Sequence, residues 1–268
     1  MSHTDFSLNS STICKILLGR IGRKPANRWI LSALVLLVAP ARSEAACLDP
    51  KTSSHVAVSI TRYFDQEERK SNPNIIAIQG TGWFVSPRTM VTVAHVAEAM
   101  HLSAQDWKEV EIRDRENKRS VAVRLSRLAG SQSEKIAMLE LKTPISDAQF
   151  LRFRMEPLAA NERVMSVTYV GDRLRVADGR FVEYGDNEKF KGAALFELYD
   201  GNDRLVLDHG ASGTPVLDCQ GRVVAVVSDI LTKTIQFQSS VIRVSTAWGY
   251  PNVVSIPIQV LKDFSPAE

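Results

Sequence analysis

The sequence predicts an all-β protein built as two successive halves, each closing as an antiparallel barrel or sandwich, behind a cleavable leader. Three observations predict it. Short apolar and β-branched runs recur between residues 55 and 260 with turn signals separating them. Helical periodicity is confined to a few turns. A Pro-containing joint, TPISDAQFLRFRMEPLAANER, divides the strand runs into two halves of roughly one hundred residues, a layout that suits paired β layers rather than βαβ units.

The leader comes first in the chain. Residues 29–39, WILSALVLLVA, form an apolar run too short to span a bilayer, preceded by Arg20, Arg23, Lys24 and Arg28 and followed by Pro40 and small residues. Ser43 and Ala45 fit a small-residue cleavage rule, so residues 1–46 read as a secretory signal and the mature chain starts near Ala46 or Cys47. An uncleaved anchor is the alternative. A lipoprotein reading is disfavoured by Glu44, which occupies the place of the lipobox apolar residue before Cys47. The expected destination is secreted or periplasmic, with no membrane association once the signal is removed.

Export changes how charge and cysteine are read. Of 33 Lys and Arg and 30 Asp and Glu, six and two respectively lie in residues 1–46, leaving 27 basic against 28 acidic groups. A near-neutral body has no electrostatic footprint for nucleic acid. Cys14 leaves with the signal, so Cys47 and Cys219 remain, an even count for which an oxidising compartment permits one disulfide. The alternative is two isolated thiols, Cys219 packing as a small hydrophobe. No Cys/His spacing suggests a zinc site, and no metal or organic cofactor is expected.

The first half, residues 47–148, reads as HVAVSITRYF at 55–64, NIIAIQ at 74–79, WFVS at 83–86 and MVTVAHV at 90–96, then VEIRD, SVAVRLSRL and IAMLELK. EERKSN at 67–72 reads as a solvated loop, and a helical turn or two is expected at 97–106. The second half, residues 149–268, continues with RVMSVTYVG, RLRVADGRFVEY, ALFELYDG, PVLD, VVAVVSDI and VIRVSTAW, and ends in a short helix in IPIQVLKDF. This pattern argues against an α/β hydrolase. That fold's nucleophile elbow also wants a Gly two residues after the Ser, where Thr214 stands.

The stretch DHGASGTPVLD, residues 208–218, sets Ser212 between Ala211 and Gly213 with Gly210 just before. A nucleophilic Ser needs its hydroxyl exposed on a tight turn, and a developing oxyanion needs two backbone N–H groups aimed at one point. Gly and Ser also cluster in turns for reasons unrelated to catalysis. A second stretch, GTGWFVSPRTMVTVAHVAEA at 80–99, puts His95 at a strand end, 117 residues upstream and in the other half. A cleft between two barrels would bring such a pair together.

At these residues the chain resembles the trypsin-like, chymotrypsin-fold serine peptidases, especially their exported bacterial branch. GTGWFVSP followed by VTVAHV resembles the family's histidine motif, with Val93 where Ala is usual and Val96 where animal members place Cys. GASGTPVLDCQGRVVAVVS resembles the serine motif and its following hairpin. The resemblance covers roughly residues 55–260 and implies two six-stranded antiparallel barrels. It makes His95 the general base, Ser212 the nucleophile, the N–H groups of Gly210 and Ser212 the oxyanion hole, and Ser228 and His209 residues of the substrate cleft. Ala211 stands where animal members carry the Asp that receives a freed N-terminus, so that activation route is closed. Val206 replaces the pocket Asp of basic-specific members, disfavouring cleavage after Lys or Arg and leaving a small or apolar preference.

The departure lies in SQSEKIAMLELK, residues 131–142, which resembles the strand bearing the third triad member; Lys135 occupies the acid's seat. Its charge has the wrong sign to orient an imidazolium. Glu134 is one residue early, and strand alternation turns it to the opposite face unless a bulge re-aims it. Asp114 and Asp208 are the other carboxylates considered, and a Ser/His dyad remains open. The expected function is a serine endopeptidase acting on polypeptide substrates through a Ser212 acyl-enzyme. The rival is a pseudopeptidase whose barrels serve as a binding module, with Lys135 marking a lost triad. His55 and His101 read as surface residues.

Overall fold

The computed structural model describes residues 47, 55–71, 73–114, 117–130, 134–171, 173–186, 191–200, 210–237, 240–245 and 250–264, with residues 232–245 as backbone only. The expected leader and Cys14, and Val206, Asp208 and His209, lie outside these residues.

Strands β1 (Val58–Tyr63), β2 (Ala77–Ser86), β3 (Thr89–Val93), β4 (Lys108–Asp114), β5 (Asn117–Ala129) and β6 (Ile136–Leu141) close a first barrel in the order β1-β2-β3-β6-β5-β4. The second half supplies β7 (Arg163–Val170), β8 (Arg173–Gly185), β9 (Ala193–Tyr199), β10 (Pro215–Asp218) and β11 (Val223–Ile230). A separate hairpin of β12 (Thr232–Phe237) and β13 (Ser240–Ser245) follows, then β14 (Val253–Pro257). The second barrel runs β10-β11-β14-β9-β8-β7, and every pairing within both barrels is antiparallel. The all-β, two-barrel reading of the sequence is the fold.

Alternation explains the strands at the barrel edge. On β4, Val110 and Ile112 are buried while their neighbours are partly or fully exposed, and β5 buries Val121 and Val123 in the same rhythm. β6 is different, with every residue but Glu140 buried. A strand covered on both faces reads as a continuous apolar run, and IAMLEL is one. Its core cluster continues through Met165, Val167, Leu217 and Val226 of the second barrel, so one apolar contact surface joins the two.

Six local elements differ from the sequence reading. NIIAIQ and WFVS are the start and end of one strand, β2, which passes unbroken through Gly80, Thr81 and Gly82. EERKSN is not a loop but lies mostly in a one-and-a-half-turn helix, α1 (Gln66–Ser71), that buries no residue, so apolar periodicity could not reveal it. Its start is fixed by a reciprocal box in which the Glu68 N–H donates to Asp65 Oδ1 at 2.8 Å and the Asp65 N–H donates to Glu68 Oε2 at 3.1 Å. The helical turn expected at 97–106 is α2 (Ala94–Ala99), which begins before His95. TKTIQF and VVSIP, absent from the strand reading, are β12 and β14, and the expected C-terminal helix is a single 3₁₀ turn, Ile258–Leu261.

Between the barrels the joint is held by bridges Phe84–Phe150 and Phe153–Val223, with Trp83 edge-on to Phe153 at 5.9 Å. Cys47 and Cys219 form a disulfide with Cα atoms 4.8 Å apart, tying residue 47 to the turn after β10. For a sequence separation of 172 the loop-entropy model gives about 5 kcal/mol, the upper end of what disulfides contribute. Charge holds the joint as well. Arg154 pairs with Glu162, with one contact at 3.1 Å, and lies 3.6 Å from the buried Asp218, which also accepts from Arg222 Nε at 2.9 Å.

Hydrogen bonds from Arg154 hold the Glu162 carboxyl below its ordinary value. A carboxyl depressed in the folded state contributes stability that is complete above its unfolded pKa, about 4.3, and is lost as pH falls through the folded value. Glu162→Gln should therefore lower the thermal midpoint at neutral pH, and its gap from the parent should close as pH drops below about 4. A gap independent of pH in unfolding scans would contradict this assignment.

Candidate active site

β2 and β3 bring the His95 region into place. His95 is the second residue of α2, whose Ala94, Val96 and Ala97 are buried. A Cβ on Gly80 would lie 2.6 Å from Val96 Cγ1, so only glycine lets α2 sit this close to β2. The Ala94 N–H donates to the Lys135 carbonyl oxygen at 2.8 Å, anchoring the helix start.

That bond settles where Glu134 lies. β3 and β6 pair with Thr89 opposite Glu140 through Val93 opposite Ile136. One step beyond the last pair the Ala94 N–H meets the Lys135 carbonyl; there β3 gives way to α2, and His95 and Glu134 are the next residues beyond that bond on the two segments. Glu134 Oε1 lies 3.0 Å from His95 Nδ1. The contact needs no bulge, because Glu134 stands on a bend before β6 begins and the alternation of the strand does not bind it. Lys135 takes part through its backbone carbonyl. A carboxylate only accepts hydrogen bonds, so the contact puts the proton of the neutral ring on Nδ1 and leaves the Nε2 lone pair free. The Glu134 side chain is 11% exposed and that of His95 42%, a shielded carboxylate behind an accessible ring.

Asp114 is elsewhere. It ends β4 and contacts His55 Nδ1 at 3.3 Å, so it does not serve His95. His55 and His101 have half-exposed side chains, His101 stacking on Phe64 at 4.9 Å.

Ser212 sits in a turn from Ala211 to Thr214, closed by the Thr214 N–H donating to the Ala211 carbonyl at 3.0 Å. Gly213 holds the third position with φ +92°, the conformation a type II turn requires there. Gly210 has φ +100°. Among the described residues no hydrogen bond engages the N–H of Gly210 or of Ser212, which leaves two donors beside one partly exposed hydroxyl. That hydroxyl donates weakly to the Ser228 carbonyl oxygen at 3.4 Å. Ser228 is buried at a register shift of β11, and among the described residues its own Oγ has no hydrogen-bond partner.

The two motifs meet at Thr81. Its N–H donates to the Ser212 carbonyl at 3.0 Å, its Oγ1 donates to the Gly210 carbonyl at 2.7 Å, and its own carbonyl accepts from Thr92 Oγ1 at 2.8 Å. Thr92 lies three residues before His95. Thr81 lies outside the residues singled out by motif, and its one signal in the sequence is a Thr between two Gly in an otherwise apolar strand. Among the described residues no cluster of three or more His, Cys, Asp or Glu side chains is placed to hold a metal ion.

Comparison with known proteins gives the arrangement a context. Residues 80–226 match a family model described as a trypsin-like peptidase domain. Among solved structures, the active form of the Rv3671c protease from M. tuberculosis is similar at 17% identity, covering 81% of this chain and 86% of that one, with a TM-score of 0.52. Deg5 is similar at 12% identity, covering 81% and 94%, with a TM-score of 0.52. At such identities the likeness concerns the fold. No curated protein matches the chain by sequence.

Gly213 is the tightest point of the turn. A Cβ there would collide with the Thr81 carbonyl oxygen and Thr92 Oγ1, and the positive φ is itself unfavourable to alanine. Gly213→Ala should lower unfolding free energy by on the order of 3 kcal/mol in denaturant titrations. A loss within experimental error of zero would show that the turn is not held as described.

Proposed function

Since the chain belongs to the trypsin-like peptidase family, we propose that it is an exported serine endopeptidase that cleaves polypeptides through an acyl-enzyme on Ser212. The observation that carries this reading is the 3.0 Å contact between Glu134 and His95. It supplies the acid that the resemblance left vacant at Lys135, and it favours an enzyme over a pair of barrels kept as a binding module.

In this reading the Ser212 hydroxyl exchanges its weak bond to the Ser228 carbonyl for His95 Nε2, which takes its proton as Oγ attacks the scissile carbonyl carbon. Glu134 stays ionised, holding the ring by Nδ1 and stabilising the imidazolium. Charge developing on the substrate oxygen is met by the N–H groups of Gly210 and Ser212. Collapse of the tetrahedral species expels the amine, protonated by His95, and leaves an ester on Ser212. Water, deprotonated by the same ring, hydrolyses that ester.

Export rests on the leader-like residues 1–46 and on the disulfide, a bond that persists in oxidising compartments. Among the described residues no helix is long and apolar enough to cross a membrane. A preference for small or apolar side chains next to the cleaved bond follows from Val206 by resemblance. His209 and Ser228 are assigned to the cleft on the same ground.

The test is covalent labelling of the purified mature protein by a fluorophosphonate, with the modified residue identified by mass spectrometry. Ser212 should be labelled, Ser212→Ala should not be, and Glu134→Gln should label about 10³ to 10⁴ times more slowly, the loss expected when the acid no longer sets the tautomer. A folded parent that takes no label would favour the binding module.

A further inference from the structure

The turn that bears Ser212 is tied into a closed circuit of buried hydroxyls. Thr81, Thr168 and Thr214 are fully buried and come from β2, from β7 and from the turn itself. Thr214 Oγ1 donates to Thr168 Oγ1 at 2.6 Å, Thr168 and Thr81 Oγ1 are 3.3 Å apart, and Thr81 Oγ1 donates to the Gly210 carbonyl at 2.7 Å. A threonine hydroxyl has one proton, so counting protons gives the circuit one direction. Thr81 spends its proton on Gly210, Thr168 must then donate to Thr81, and Thr214 must donate to Thr168. The circuit leaves the turn at Thr214 and returns to it at Gly210.

Its effect falls on the peptide that carries the Ser212 N–H. Three successive carbonyls around it are fixed: Gly210 by Thr81 Oγ1, Ala211 by the Thr214 N–H and Ser212 by the Thr81 N–H. With the flanking peptides held, the 211–212 peptide cannot rotate without breaking a buried bond, and a buried polar group left unpaired is costly. Ala211 has no carboxylate with which to hold the turn by an ion pair, so the hydroxyls are the means available.

We infer that Thr81, backed by Thr168 and Thr214, is a positioning residue that presets the oxyanion-binding N–H group of Ser212 in the resting protein. This rests on the peptidase reading for its catalytic consequence but not for its structural one. The relay is buried, and each hydroxyl polarises the next.

The experiment compares the mature parent with Thr81→Val, Thr81→Ser and Thr168→Val, measuring the second-order rate of fluorophosphonate labelling well below each thermal midpoint. Removing one preset donor of an oxyanion hole costs about 10²-fold or more, so Thr81→Val should slow labelling by about 10- to 100-fold. Thr81→Ser should restore the rate to within about threefold, Thr168→Val should fall between, and the pH midpoint of labelling should stay put because His95 and Glu134 are untouched. Ile60→Val, which thins the first barrel's core, should lower the midpoint without slowing labelling, separating positioning from general stability.

A second readout needs no activity. The amide NMR signals of Ala211 and Ser212, single in the parent, should broaden or double in Thr81→Val and return in Thr81→Ser. Unchanged amide signals in Thr81→Val, or labelling within threefold of the parent, would overturn the inference. A parent that takes no label while the amide signals respond as expected would remove the peptidase reading and leave the preset turn standing.

Discussion

The backbone N–H of Thr81 bonds the Ser212 carbonyl across the barrel interface, and the chemistry of the site depends on that contact. Ser212 belongs to a turn leading into the second barrel and His95 to a helix leading out of a strand of the first. Nothing in either barrel alone fixes their separation. Thr81 does so by serving both: it takes the Ser212 turn by two bonds and offers its own carbonyl to Thr92, just before His95. The glycines around it are what close approach demands. Gly80 admits α2 against β2, and Gly213 brings the turn onto Thr81 without a side chain in between.

The acid is held by the same economy of backbone pairing. Where β3 and β6 end, the Ala94 N–H still bonds the Lys135 carbonyl, and that link brings the bend carrying Glu134 beside the helix carrying His95. The lysine in the neighbouring position contributes the backbone carbonyl that anchors α2. A longer carboxylate one residue earlier is thus a second geometric solution to the same electrostatic need.

Much of the fold was legible in the sequence because barrel strands obey a period of two, and β4, β5 and β7 to β11 fall where alternation or apolar runs place them. What escaped detection lacked that signal. α1 buries nothing, so only its Asp65/Glu68 cap could have marked it. β14 is brief and runs straight into a 3₁₀ turn, and its last two residues, Ile256 and Pro257, fall within the expected helix. At the site, Ser212, His95 and Gly210 stood out by motif. Glu134 reads as facing the wrong way only if the strand is extended back to it, whereas β6 begins at Ile136 and Glu134 stands on the bend before it. Thr81 and its hydroxyl partners were invisible for a different reason: they lie 87 and 46 residues apart along the chain, and only folding makes them neighbours.

The most direct test of this account is a crystal structure of the mature protein phosphonylated on Ser212. The account predicts the phosphonyl oxygen within hydrogen-bond distance of the Gly210 and Ser212 N–H groups, His95 still bonded to Glu134 through Nδ1, and the Gly210 and Ser212 carbonyls unmoved on Thr81. A phosphonyl oxygen turned away from those N–H groups, or a turn that had to break from Thr81 to receive it, would contradict the claim that the site is preset across the two barrels.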